Sequence, residues 1–269
     1  MRPEAWIISV GNELLNGRIT NTNLTWLAKR LTVMGYLVRG AITVRDDCED
    51  IIWAFRTALS KGASLVLSTG GLGPTFDDKT SECLSKALGR EWTVNEKALK
   101  MVEEKYRAAG LPMTEHRVKM AKMPEGAEPI PNRVGTAPGI LVREGEALIL
   151  VMPGVPAEMK AIFEEALPYI RERAPKLEMV SVDLLIKGIP ESSLAPMIER
   201  AMKSADVYVK SHPSGKEVEE PVIRLNVVAS APSKEKVIRE VKKALQVIYE
   251  LVPKGGGRIE GEEWYDSEL

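Results

Sequence analysis

With 269 residues, 44% hydrophobic and 28% charged, the chain suits one large or two ordinary soluble globular domains. A formal net charge of −1 argues against a general nucleic-acid binder, and no apolar run approaches the roughly 20 residues of a membrane span. Met1 to Trp6 leads straight into a strand with none of the features of a signal peptide, so a cytoplasmic location is expected.

The apolar run Trp6 to Val10 predicts a strand ending at Gly11, followed by a polar loop through Asn23. Leu24, Leu27, Ala28, Leu31 and Met34 recur at helical spacing, with Gly35 as the stop, and Asn21, Thr22 or Asn23 is placed to cap that helix. A second strand is predicted over Leu37–Val44, and Asp46 or Asp47 caps a helix carrying Ile51, Ile52, Phe55, Ala58 and Leu59. Leu65–Leu67 reads as a buried strand, and Ser81–Leu88 as a helix. Strand–helix alternation with connections too long for hairpins predicts an α/β fold, a mostly parallel sheet with helices on both faces. In such a sheet, ligands bind beyond the carboxyl ends of the strands.

Asn95 caps a predicted helix through Ala109, and a short helix is expected over Glu115–Ala121. Pro124 to Pro131 reads as irregular, and Ile140–Arg143 with Ala147–Met152 as a hairpin. A helix follows from about Ala157 to Arg173. The charged, proline-containing segment Arg171–Lys176 marks a domain boundary. The domains are therefore expected at 1–173 and 174–258, with an acidic tail over 259–269. Strands over Met179–Lys187, Val207–Val209 and Val222–Ser230, with helices over Ser192–Met202 and Lys234–Leu251, make the second a small α+β unit. The basic side of its last helix, Lys234 to Lys243, reads as a solvated face.

The stretch Ser68 to Thr80, STGGLGPTFDDKT, carries the densest chemical signal. Three glycines between a strand and a helix let backbone approach a ligand closely, and free N–H groups beside a helix N-terminus suit a phosphate. Asp77 and Asp78 then place carboxylates beside that phosphate, a pairing that a divalent cation such as magnesium bridges. The alternative is a glycine turn with a plain helix cap; the flanking threonines and aspartates favour the ligand site. In metal-assisted hydrolysis either aspartate serves as metal ligand or general base. Glu13 completes a metal shell, orients a ribose or caps a turn, with no ranking among the three. His116 and His212 lack the clustering of a metal site, and Cys48 and Cys83 lack a CxxC partner and are expected to be reduced.

Gly11-Asn12-Glu13-Leu14-Leu15, Gly17 through Asn23, Thr69 to Thr75 with Asp77-Asp78, Gly135 to Gly139, and Pro153 to Pro156 with Glu158-Met159 resemble the signature blocks of the CinA family. The resemblance implies a MogA/MoaB-like, molybdopterin-binding-type first domain forming three layers around a mostly parallel sheet, then a KH-like second domain. It further implies metal-dependent ADP-ribose pyrophosphatase activity with magnesium, manganese, cobalt or nickel, giving AMP and ribose 5-phosphate. Carried over by position, Asp77 and Asp78 are the catalytic residues and, with Glu13, the metal ligands. Thr69, Gly70, Gly71, Gly73 and Thr75 cradle phosphate; Glu13, Asn21, Asn23, Gly154, Pro156 and Glu158 line the ribose or nucleoside side. The deamidase domain of many family members is expected to be missing, no Nudix signature is present, and the second domain has no GxxG nucleic-acid clamp. The expected partner is a small nucleotide, in a homodimer or homotrimer. The alternatives are a molybdenum-cofactor binding protein or transferase, and a non-catalytic nucleotide sensor.

Overall fold

A computed structural model describes residues 3–175, 177–214 and 219–266. The chain divides into two compact units, one made mostly of residues up to Ala174 and the other mostly of residues from Pro175 onward.

In the first unit β1 (Glu4–Val10) leads through α1 (Asn12–Leu15) and α2 (Thr22–Val33) to β2 (Leu37–Val44). Next come α3 (Cys48–Ser60), β3 (Leu65–Thr69), α4 (Thr80–Leu88), β4 (Trp92–Val94), α5 (Glu96–Ala108) and α6 (Glu115–Lys119). Short strands β5 (Lys122–Pro124) and β6 (Glu128–Ile130) precede the hairpin of β7 (Gly139–Glu144) and β8 (Ala147–Met152), and α7 (Pro156–Arg173) closes the unit.

The sheet order is β2-β1-β3-β8-β7-β6. Its first four strands are parallel; β7 runs antiparallel to β8, and the edge strand β6, antiparallel to β7, returns to the direction of the first four. The mostly parallel sheet expected from the alternation is what forms. Helices cover both faces because the buried side chains of each strand alternate. Ile8, Val10 and Val66 join Ile51, Phe55 and Leu84 of α3 and α4 in one core. Ile7, Leu65 and Leu67 are buried on the opposite side. There Trp26 of α2 meets Phe163 of α7 edge-on, with ring centroids 5.1 Å apart. Asp47 caps α3 and Asn95 caps α5 through their side-chain oxygens.

Pro124 to Pro131 is not wholly irregular: β5 pairs with β4, and β6 forms the sheet edge against β7. Pro129 is tolerated there because an edge strand need not donate on its open side. The two cysteines also differ from expectation. Cys48 opens α3 and Cys83 lies in α4; their Cα atoms are 5.3 Å apart and the sulfurs form a disulfide. The packing of α3 on α4 brings the two helices together across 35 residues of sequence.

The second unit contains β9 (Glu178–Lys187), α8 (Glu191–Ser204), β10 (Tyr208–Pro213), β11 (Val222–Ala231), α9 (Lys234–Lys254) and β12 (Arg258–Asp266). Its antiparallel sheet runs β10-β11-β9-β12. The smaller α+β unit expected here has the element order of a split βαβ unit. Val182, Leu184 and Ile186 of β9 and Leu225 and Val227 of β11 face a core shared with α8 and α9. Each such fully buried aliphatic side chain contributes about 1.5–3 kcal/mol. Residues 259–266 are part of an edge strand and not an acidic tail; residues 267–269 lie outside the described residues. Among the described residues no helix is long and apolar enough to cross a membrane.

Candidate functional site

The path β1–α2–β2 moves outward in one direction and β2–α3–β3 returns past β1 to its other side. The strand order thus reverses between β1 and β3, and such a reversal opens a crevice at the carboxyl ends of the strands. Val10 and Thr69 end those two strands, and Met152 ends β8 beside Thr69.

Glycine lets the three turns meet. Gly70 and Gly71 have φ of 103° and 70°, a region that favours glycine. A Cβ on Gly70 would lie 2.1 Å from the Val10 carbonyl oxygen, and one on Gly71 2.1 Å from Thr80 Oγ1. The Gly70 N–H donates to the Met152 carbonyl at 2.9 Å, while its own carbonyl accepts the Thr80 hydroxyl at 2.9 Å. Thr80, fully buried at the start of α4, thereby fastens the loop to the helix.

The crevice is a cavity of about 590 Å³. Every residue predicted for the site lines it: Glu13, Asn21 and Asn23; Thr69, Gly70, Gly71, Gly73, Thr75, Asp77 and Asp78; and Gly154, Pro156 and Glu158. Asp46 adds another carboxylate, its Oδ2 accepting the Asn12 N–H at 2.8 Å. Among the described residues no lysine, arginine or histidine lines the cavity.

Inside the glycine loop the hydrogen bonds narrow the expected cradle. The Thr75 N–H donates to Asp78 Oδ2 at 2.9 Å, and the Thr75 hydroxyl is shared between Asp77 Oδ1 and Asp78 Oδ2. The N–H groups of Thr75 and Gly70 are therefore spent within the protein. Those of Gly71, Leu72 and Gly73 meet no acceptor among the described residues. The Thr75 hydroxyl, helped by the Asp77 N–H and by Lys119 and Lys79, holds the Asp77 carboxyl below the ordinary aspartate range. Lys119 also donates to the Thr75 carbonyl. The sequence reading missed Lys119, which lies 44 residues from that loop.

Asn21 is engaged elsewhere: its Oδ1 accepts the Leu24 N–H at 3.0 Å and its Nδ2 donates to Ser9 Oγ at 2.9 Å. It caps α2, the plainer of the roles open to it. Asp77, Asp78 and Glu13 do not form a ready-made metal shell. Among the described residues no three histidine, cysteine or acidic side chains are grouped so as to hold an ion.

The chain matches the family model described as the probable molybdopterin binding domain over residues 6–172. A protein from Pyrobaculum calidifontis is 51% identical over 252 residues, covering 93% of this chain and 96% of the relative. One from Aeropyrum pernix is 48% identical over 263 residues, covering 97% and 98%. Among solved structures, the protein CinA with unknown function from Thermoplasma acidophilum is 45% identical with a TM-score of 0.60. That match covers 63% of this chain and 98% of the other.

Proposed function

Since this chain belongs to the family of the probable molybdopterin binding domain, we propose that its crevice binds a small molecule joining a phosphate to a nitrogen heterocycle, of the pterin-phosphate class. The observation that carries the reading is the cavity's charge. Glu13, Asp46, Asp77, Asp78 and Glu158 line it with no basic side chain among the described residues, while the N–H groups of Gly71, Leu72 and Gly73 are open to an anion.

Backbone donors direct a phosphate but do not cancel its charge beside so many carboxylates. A divalent cation fits this donor set, since magnesium is commonly held by one or two carboxylates together with substrate phosphates. Asp77 and Asp78 would be those carboxylates, which is why a complete protein shell is unnecessary. The ion would supply charge neutralisation and polarisation of phosphorus. The chain's own groups would orient the phosphate through the loop and hold the loop itself through Thr75, Thr80 and Lys119.

Metal-dependent binding of 6-hydroxymethylpterin phosphate, read by its fluorescence, tests this. Saturable binding with magnesium, manganese, cobalt or nickel, lost on chelation and in the Asp77→Asn, Asp78→Asn double variant, is the expected result. A folded protein that binds with none of these ions overturns the reading.

The size of the cavity supports a second reading, because about 590 Å³ lies within the range of sites that enclose drug-sized ligands. Here water adds across the diphosphate of ADP-ribose, releasing AMP and ribose 5-phosphate. AMP release that depends on metal and disappears in the same double variant would favour it; nucleotide binding without turnover would leave a sensor. Self-association as a dimer or trimer belongs to this proposal too, supported by the exposed Leu15, Ile19 and Phe76 and tested by sedimentation.

A further inference from the structure

The side of the cavity made by the β8–α7 turn has chemistry opposite to that of the glycine loop: it presents acceptors. Glu158, in the first turn of α7, is held from behind by Asn132, which is only 6% exposed. Asn132 Nδ2 donates to Glu158 Oε2 at 2.7 Å and to the Ala137 carbonyl at 2.9 Å. Its Oδ1 accepts the N–H groups of Val134 at 3.1 Å and Gly135 at 2.7 Å. The amide is thus fixed by three backbone groups and holds the carboxylate through its remaining N–H. The carboxylate lies so close over Gly135 that a Cβ there would be 1.9 Å from Oε2. A carboxylate has about four lone-pair sites, so both Glu158 oxygens can still accept.

Asn23, 9% exposed, also lines the cavity. Its Nδ2 donates to the Gly154 carbonyl at 2.8 Å, and its Oδ1 is buried with no partner. Reversing the amide would set oxygen against the Gly154 carbonyl, so the bare oxygen is fixed by its neighbour. A buried acceptor left unpaired is costly, and a donor arriving on a ligand would offset that cost. Phosphate does not suit this side, because Glu158 repels it and already complements the N-terminus of α7.

Resting on the reading of the crevice as a site for a phosphate-bearing heterocycle, we infer that Glu158 and Asn23 select the ring. They read the adjacent ring N–H and exocyclic amino group of a 2-amino-4-oxopyrimidine edge, the donor–donor pattern of pterins and guanine. A carboxylate accepts such an edge at both oxygens. A ring with a carbonyl in place of the amino group turns an acceptor toward Glu158 and leaves a buried oxygen unpaired.

The test compares 6-hydroxymethylpterin phosphate with the corresponding lumazine phosphate, which has a 2-carbonyl in place of the amino group. Affinities are measured with magnesium on the full chain and on Glu158→Gln, whose folding is checked by its thermal midpoint. The pterin is expected to bind about tenfold or more tightly than the lumazine, as a hydrogen bond to a charged group allows. In the variant the ratio is expected to fall to within about threefold, because a glutamine amide can donate to the carbonyl. Equal binding by the native protein, or an unchanged ratio in a folded variant, overturns the inference while the cavity reading stands. Failure of both compounds to bind overturns both. The native ratio decides the matter even where the variant does not fold.

Discussion

Gly70 packs against Val10 so closely that a Cβ on it would lie 2.1 Å from the Val10 carbonyl oxygen. That contact lets the glycine loop close onto the end of β1. Gly70→Ala meets fixed backbone and also forces a side chain into φ of 103°. The expected loss is about 2–4 kcal/mol, measured by urea unfolding. Stability within about 0.5 kcal/mol of the native protein would show that the strand ends are not so tightly joined.

Asp77 supplies a pH dependence whose sign is fixed by its contacts. Its carboxyl is held below the ordinary value, chiefly by the Thr75 hydroxyl and more weakly by Lys119. The contact therefore contributes fully above the unfolded aspartate pKa of about 3.9, and the contribution disappears as pH falls through the lower folded value. Carboxyl-carbon NMR titration is expected to show Thr75→Val raising the Asp77 pKa most and Lys119→Met raising it less. The reverse order would contradict the hydrogen-bond assignment.

The Cys48–Cys83 disulfide closes a loop across a sequence separation of 35 residues. Chain-entropy reasoning gives about 3–4 kcal/mol for such a closure. Guanidinium unfolding with and without reductant is expected to separate by about that amount, and Cys48→Ser is expected to abolish the difference. Coincident curves would mean that the bridge adds nothing to stability.

A stop introduced after Gly257 removes β12 and bares the edge of β9 that it covers from Lys187 to Val180. Loss of those hydrogen bonds and exposure of an open strand edge are expected to lower the melting of the second unit and promote aggregation. Calorimetry reads this as a transition at lower temperature than any in the full chain. An unchanged thermogram would return these residues to the status of a tail.

The parallel sheet was legible because apolar runs such as Leu65–Leu67 alternate with helical spacing, a local signal of packing. The crevice was legible for a related reason: strand ends in such sheets converge, and glycines with paired aspartates at those ends are local in sequence. What the sequence concealed depends on distant partners. Lys119 serves a loop 44 residues away, and Asp46 reads as a helix cap until the Asn12 N–H is found on its carboxylate. Cys48 and Cys83 carry no spacing signal, since only the packing of α3 on α4 brings them together. Trp264 and Tyr265 lie among acidic residues in β12, so periodicity alone gives a weak strand signal there.

The pairing of β12 with β9 also governs the order in which this chain takes shape during translation. The six-stranded sheet has all its strands once Met152 has left the ribosome, and its covering helix once Arg173 has. The smaller sheet begins at Glu178 but stays without the outer neighbour of its first strand until Asp266 emerges, almost ninety residues later. At about 5–20 residues per second, that leaves β9 open at one edge for several seconds of synthesis.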